Sequence, residues 1–88
     1  MLEYHAAYYP TENGWFTVKV LDFPGAFSQG RTRKSARKMI RNALRLMGEC
    51  LLERGEPLPL PDPNAVDKTA VLVEPVRMSL RTHAGSDR

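Results

Sequence analysis

Few residues in this chain could take part in acid–base or nucleophilic chemistry. The two histidines are His5 and His83, the single cysteine is Cys50, and Asp22 precedes a Phe-Pro-Gly sequence. Neither histidine has a base, a nucleophile or an orienting carboxylate near it in the sequence, as acid–base catalysis would need. We therefore expect both histidines to lie on the surface, Cys50 to be buried and inert, and Asp22 to bond its own backbone in a turn. We expect no catalytic residue, metal site or cofactor.

A basic segment offers a second kind of chemistry, the binding of phosphate groups. Residues 31–45 contain seven arginines or lysines and no acidic residue, whereas residues 46–67 contain five acidic residues and one arginine. Cations three or four positions apart share one side of a helix, where they could neutralise a nucleic-acid backbone. Three interpretations stay open: a solvated surface, nucleic-acid binding, and contact with an acidic protein, including the acidic stretch of a second copy. Nucleic-acid binding would use Arg33, Lys34, Arg37, Lys38, Arg41 and Arg45.

Two strands are predicted before the basic segment. Even-numbered positions 2–8 carry Leu, Tyr or Ala, and positions 16, 18 and 20 are also apolar, a two-residue period typical of strands that bury one face. If both sets face one core, the connection needs an odd number of residues. Glu12-Asn13-Gly14 fits as a three-residue loop with Gly14 at positive φ. The opposite face carries Tyr9, Trp15, Thr17 and Leu21, interpreted either as an oligomer or partner interface or as scattered exposed residues.

The period changes to 3.6 residues between Arg33 and Arg54, which predicts a helix that covers the core. Thr32 is the predicted N-cap, and Gly55, with a proline two positions later, is a plausible stop. The predicted core-facing residues are Ala36, Met39, Ile40, Ala43, Leu44, Met47, Cys50 and Leu51.

The remaining segments are short. A tight turn at residues 22–25 is followed by a third strand, Ala26–Arg31. Four alternating prolines between residues 57 and 63 predict an extended link that cannot be helical. A last strand, Ala70–Glu74, comes next, and Pro75 is expected at the end of that strand or on a sheet edge.

Length and composition limit the class of protein. A chain of 88 residues is enough for one domain, and its 42% hydrophobic and 26% charged residues are ordinary for a globular fold. No apolar stretch reaches the roughly 18–20 residues that span a bilayer, and the first residues lack a basic region before an apolar one. We expect a cytoplasmic protein with one domain over residues 1–77 and a C-terminal tail over residues 78–88.

Several motifs together resemble those of the HicB-like antitoxin family. They are Tyr4 to Tyr9, Gly14-Trp15-Phe16, Asp22 to Gly30, Thr32 with Ala36, and Gly55 with Pro57-Leu58-Pro59. The resemblance covers roughly residues 1–61, and its most specific piece is Pro24-Gly25 followed by Gly30 and Thr32. It implies an α+β fold of order β-β-β-α-β, in which one helix packs on one face of a small, mostly antiparallel sheet, a partial RNase H-like fold.

The resemblance also implies a non-catalytic binding role. Such proteins neutralise a small ribonuclease, HicA, by covering its active site, and they often form homo-oligomers such as dimers or tetramers. Many carry an added DNA-binding segment, for which the 13 residues after Pro75 are too few. The expected function is thus an antitoxin module that binds itself and a HicA-like toxin; the alternative is a small nucleic-acid-binding protein that uses the basic helix.

The start of the helix departs from the family pattern. The family usually has Gly-Asp-Thr and a glutamate three residues after the threonine, whereas this chain has Gly30-Arg31-Thr32 and then Ser35. We therefore expect the reciprocal capping box to be lost. Arg33 and Lys34 in the first turn also oppose the helix dipole.

Overall fold

The computed structural model describes residues 2–79, which form four strands and one helix. The elements are β1 (Leu2–Pro10), β2 (Phe16–Val20), β3 (Phe27–Gly30), α1 (Arg33–Glu53) and β4 (Leu72–Met78). The strands form one sheet in the order β3-β2-β1-β4, and every neighbouring pair is antiparallel. The predicted β-β-β-α-β order is confirmed. None of the helical segments in residues 2–79 could span a membrane.

The first hairpin is built as its sequence predicts. Pro10 pairs with Phe16, and Thr11 N donates to Trp15 O over 2.8 Å, which leaves the three-residue loop Glu12-Asn13-Gly14. Gly14 has φ +85°, a left-handed conformation that favours glycine. Because the loop is odd, the even-numbered residues of both strands face the same side of the sheet.

A second turn joins β2 to β3. Ala26 N donates to Phe23 O over 3.2 Å, and Gly25 between them has φ +91°. This is the Pro-Gly turn that the sequence predicts, with glycine at the position that needs positive φ. The third strand is shorter than predicted, since β3 spans Phe27–Gly30.

The helix keeps its reciprocal cap, so the expected loss of the capping box is wrong. Ser35 N donates to Thr32 Oγ1 over 3.0 Å, and Thr32 N donates to Ser35 Oγ over 3.0 Å. The serine hydroxyl thus replaces the carboxylate that the family pattern has at this position. At the other end Gly55 has φ +72°, as expected of a residue just after a helix.

The core lies between α1 and the even-numbered face of the sheet. Its buried residues are Tyr4, Ala6, Tyr8, Val18, Val20, Phe23, Ala26, Ala36, Ile40, Leu44, Val76 and Met78. Two residues of the predicted helix stripe do not join it: Met39 is 45% exposed and Cys50 is exposed. The prediction of a buried Cys50 is therefore wrong.

The last strand differs from its prediction in position. β4 runs from Leu72 to Met78 instead of Ala70–Glu74, and it continues through Pro75, which pairs with His5. Because β4 is an edge strand, Pro75 lies on a sheet edge, one of its two predicted places. His83 and residues 80–88 of the predicted tail lie outside the described residues.

Candidate protein-binding surface

One side of the sheet is not covered by the helix, and we call it the helix-free face. It is formed by the odd-numbered strand residues, because Tyr9 pairs with Thr17, Lys19 with Phe27, and Ala7 with Val73. The even-numbered residues face the side of the sheet that α1 covers, and most of them are buried in the core. The four predicted interface residues belong to this face or to its rim.

The linker between α1 and β4, residues 55–71, partly covers the helix-free face. Asp62 N donates to Asp22 Oδ2 over 2.9 Å, and Tyr9 OH donates to Asp67 Oδ2 over 2.5 Å. Ala7, which lies on this face, is fully buried. The linker is thus held against the strand β1, and Tyr9 contributes to an internal contact.

The Tyr9 and Asp67 pair changes the ionisation of both groups. Burial raises the pKa of Tyr9 to about 12, and the hydrogen bond to the Asp67 carboxylate adds to the effect. The same hydrogen bond, with others from Thr69, lowers the pKa of Asp67 to about 2. The pair is therefore a neutral phenol bound to a carboxylate throughout the physiological range.

The part of the helix-free face near β3 is open. A groove of 390 Å³ there has Thr17, Leu21 and Phe27 in its lining. Phe27 is 67% exposed, which is unusual for an aromatic residue in a strand. Sequence reasoning missed it, although extending the odd-numbered alternation into β3 would have found it. Trp15 lies at the rim, half-buried, and the guanidinium of Arg31 sits 5.3 Å from the centre of its ring.

His5 and Asp22 form a pair that the sequence did not indicate. His5 Nδ1 lies 2.9 Å from Asp22 Oδ2, and the backbone N–H of His5 donates to Asp22 Oδ1 over 2.8 Å. Burial by itself would raise the pKa of Asp22, but the hydrogen bonds from His5 and from the backbone of Asp62 outweigh burial and lower it. The carboxylate therefore joins β1, the β2–β3 turn and the linker.

The hydrogen bonds around His5 and Asp22 hold β1, the β2–β3 turn and the linker together. Within residues 2–79, the hydrogen bonds of the His5 ring lead only to Asp22, and exposed Cys50 is not among its partners. The same residues contain no cluster of three or more histidine, cysteine or acidic side chains placed to hold a metal ion.

The basic residues of α1 divide into two sets. Arg37 forms a bidentate pair with Glu74 of β4, with Nε–Oε2 at 2.6 Å and Nη2–Oε1 at 3.2 Å, and Tyr8 OH also donates to Oε2 over 2.9 Å. The hydrogen bonds from Arg37 lower the pKa of Glu74, and burial raises that of Tyr8. Of the other basic residues of α1, Arg33, Lys34, Lys38 and Arg41 are exposed, while Arg45 is half-buried. Arg37 thus fixes α1 to β4 and is not free for a phosphate.

Comparison with known proteins gives one consistent family. Residues 4–74 match the family model described as HicB_like antitoxin of bacterial toxin-antitoxin system. The chain is 36% identical over 66 residues to Antitoxin HicB 1 of Photorhabdus laumondii, an alignment that covers 75% of this chain and 43% of that antitoxin. It therefore spans less than half the length of that relative.

Several solved structures share the fold. The N-terminal domain of the Burkholderia pseudomallei antitoxin HicB superposes with a TM-score of 0.75 at 27% identity, over 90% of this chain and all of that domain. A chain in the HicA3 and HicB3 toxin-antitoxin complex superposes with a TM-score of 0.69 at 24% identity, over 89% of this chain and 99% of that one. These similarities extend over nearly all of the sheet and the helix described above.

Proposed function

The chain belongs to the HicB-like antitoxins of bacterial toxin-antitoxin systems, and from that premise we propose that it binds and sterically neutralises a HicA-like, mRNA-cleaving toxin in the cytoplasm. It performs no chemistry itself and also associates with a second copy. The observation that carries this proposal is the match of residues 4–74 to the family model. The complex of HicA3 with HicB3 supports a toxin as the partner.

The open part of the helix-free face is the proposed toxin-binding surface. Exposed aromatic residues beside a groove are typical anchors of protein interfaces. Phe27 is such a residue, with Thr17 and Leu21 in the same groove and Trp15 at the rim. Tyr9 supports this surface from the covered part of the face, where its hydroxyl holds the linker through Asp67.

The distribution of charge also favours the helix-free face as the toxin-binding side. A toxin that binds RNA is expected to be basic, so the exposed cations of α1 would repel it. On the helix-free face, by contrast, the linker contributes the carboxylate of Asp67, which offsets the exposed Lys19 of the same face. We therefore place the toxin on the sheet and not on the helix.

Replacing Phe27 by glutamate is expected to weaken toxin binding about 30-fold, because loss of an aromatic anchor costs about 2 kcal/mol or more. The assay uses the product of the reading frame next to this gene as the candidate toxin. Its affinity for the full chain is measured by titration calorimetry, and relief of growth arrest is scored after co-expression.

Leu52→Glu is the matched control, because Leu52 is also an exposed apolar residue, 51% exposed, but lies on α1. It is expected to bind the toxin as the unaltered chain does. Equal binding by Phe27→Glu and the unaltered chain would exclude the open sheet surface. Absence of any binding by the unaltered chain would overturn the antitoxin proposal for this pair.

Nucleic-acid binding through α1 is the second candidate. The observation that favours it is the exposure of Arg33, Lys34, Lys38 and Arg41, with no acidic residue in the first turn of the helix. The N-terminus of the helix adds partial positive charge at the same place. Cations on one rigid helix could release counterions from a phosphate backbone.

If this second function exists, a triple variant with glutamate at Lys34, Lys38 and Arg41 is expected to lose retention on a heparin or DNA column at low salt. Arg37 is left unchanged because its pair with Glu74 holds α1 to β4. A control variant that keeps the positive charges, with Lys34→Arg, Lys38→Arg and Arg41→Lys, should be retained on the column as strongly as the unaltered chain. If the unaltered chain is never retained, the nucleic-acid function is excluded.

A further inference from the structure

The side of α1 that faces away from β4 carries a short apolar row, which we call the outer flank. It consists of Met39, Ala43, Leu46 and Cys50, of which Ala43 is half-buried against the core. Met39 is 45% exposed and Leu46 is 59% exposed, and Cys50 is also exposed. Exposed apolar side chains in a row along a helix indicate a contact that the single chain does not make.

The position of the outer flank follows from helix geometry. Arg37 binds Glu74 of β4. Arg37 and Arg41 also line a 500 Å³ cavity between α1 and β4. Leu46 is nine residues after Arg37, and Cys50 is nine residues after Arg41. Nine residues are two and a half helical turns, so the outer flank points away from β4, over the edge strand β3.

We propose that a second copy of this chain docks on the outer flank, with the two α1 helices antiparallel across a two-fold axis; this rests on the self-association in the proposed function. The two-fold axis passes through the middle of the outer flank. Met39 then meets Cys50 of the second copy, and small Ala43 meets large Leu46 of the second copy. A two-fold interface needs this self-complementarity, because each contact occurs twice.

Charge along the helix selects the antiparallel arrangement. All the charged residues in the first half of α1 are basic, whereas the second half carries Glu49 and Glu53 with one cation, Arg45. In the antiparallel pair Lys38 lies opposite position 51 of the second copy, between those two glutamates. A parallel pair would place the basic halves against each other, and like charges repel.

The same axis places the edges of the two β3 strands side by side and antiparallel. In the described part of the chain, β3 pairs only with β2. An edge strand is a ready template for pairing with another chain, so the dimer would cover this edge as well as the outer flank. The sheet surface proposed for the toxin stays on the outside, since Phe27 points to the helix-free face.

Sedimentation of the full chain at tens of micromolar tests the proposal. The unaltered chain is expected to be dimeric, and Leu46→Glu is expected to raise the dimer dissociation constant at least tenfold, because it places two carboxylates near the axis. Leu52→Glu introduces the same change about 120° around the helix, at a residue of similar exposure, and should remain dimeric. A monomeric unaltered chain, or equal association of the two variants, would overturn the outer flank as the interface.

Disulfide formation tests the orientation. In the antiparallel dimer, Met39→Cys is expected to form a covalent dimer with native Cys50 of the second copy under mild oxidation. The two native Cys50 residues would be about 16 Å apart along the axis, too far for a disulfide. Met39→Cys combined with Cys50→Ser should therefore give no covalent dimer. Efficient crosslinking of the unaltered chain through Cys50 would indicate parallel helices and contradict the proposal.

Toxin binding is measured on the same variants. Leu46→Glu should keep its affinity for the neighbouring gene's product, because the outer flank and the groove near Phe27 lie on different sides of the sheet. Loss of dimerisation with intact toxin binding confirms that the two surfaces are separate. A dimeric chain that never binds toxin would reject the antitoxin function and leave the outer flank as the dimer interface.

Discussion

Gly30→Ala is expected to lower the free energy of unfolding by about 3 kcal/mol. A Cβ atom at this position would lie 2.5 Å from Ala36 N and 2.8 Å from Ala36 Cα, both backbone atoms of α1. Backbone cannot move aside as a flexible side chain can, so either the helix shifts from β3 or the strand bends. Because Gly30 is buried where β3 passes under the first turns of α1, the whole helix is affected.

Urea denaturation followed by circular dichroism measures this loss. Gln29→Ala is the matched control, because Gln29 is the exposed neighbour in the same strand, and it should change the free energy of unfolding by less than about 0.5 kcal/mol. A loss below about 1 kcal/mol for Gly30→Ala would contradict the close contact between β3 and α1.

Asp22→Ala is expected to cost about 3 kcal/mol, because it removes the acceptor of several hydrogen bonds at once. The backbone N–H groups of His5 and Asp62 both donate to this carboxylate. An unsatisfied buried donor costs about 1–3 kcal/mol. Asp62→Ala is the control, since it retains the backbone N–H that binds Asp22 and should cost much less.

The loss should depend on pH in a defined direction. The pKa of Asp22 in the folded chain lies below its ordinary value of 3.8. Its stabilisation is therefore complete above about pH 4 and is lost as the pH falls through the folded pKa. The difference in unfolding free energy between the unaltered chain and Asp22→Ala should be constant at neutral pH and shrink in acid. A difference that is small at neutral pH would show that the carboxylate is not a brace.

The strands of the hairpin could be predicted because their signals are local. The alternation of apolar residues and the odd loop at Gly14 together determined which side of β1 and β2 faces the core. The Pro-Gly turn and the N-cap Thr32 are similarly short-range features. Each depends on residues at most a few positions apart, so these elements could be located from local patterns, whereas the fold class was implied by the family resemblance.

Most of the errors concern features that depend on distant parts of the chain, and the capping box at Ser35 is the local exception. The pairing of His5 with Asp22 joins positions 17 apart, and no sequence spacing announces it. Met39 and Cys50 fit the apolar period of the helix, but whether the sheet extends beneath them depends on where α1 lies across it. Ser35 could complete the capping box because a hydroxyl donates and accepts hydrogen bonds, a property that the search for glutamate overlooked.

The order of the strands in the sheet also determines when each strand can pair while the chain is being synthesised. The central strand β1 emerges from the ribosome first, and its outer neighbour β4 is made last among the elements described. A nascent chain that has released residues up to Glu53 can already pair β1 with β2 and cover them with α1, but β1 keeps an open edge until Met78 emerges. During translation the molecule is therefore exposed to wrong strand partners on the side that β4 later protects.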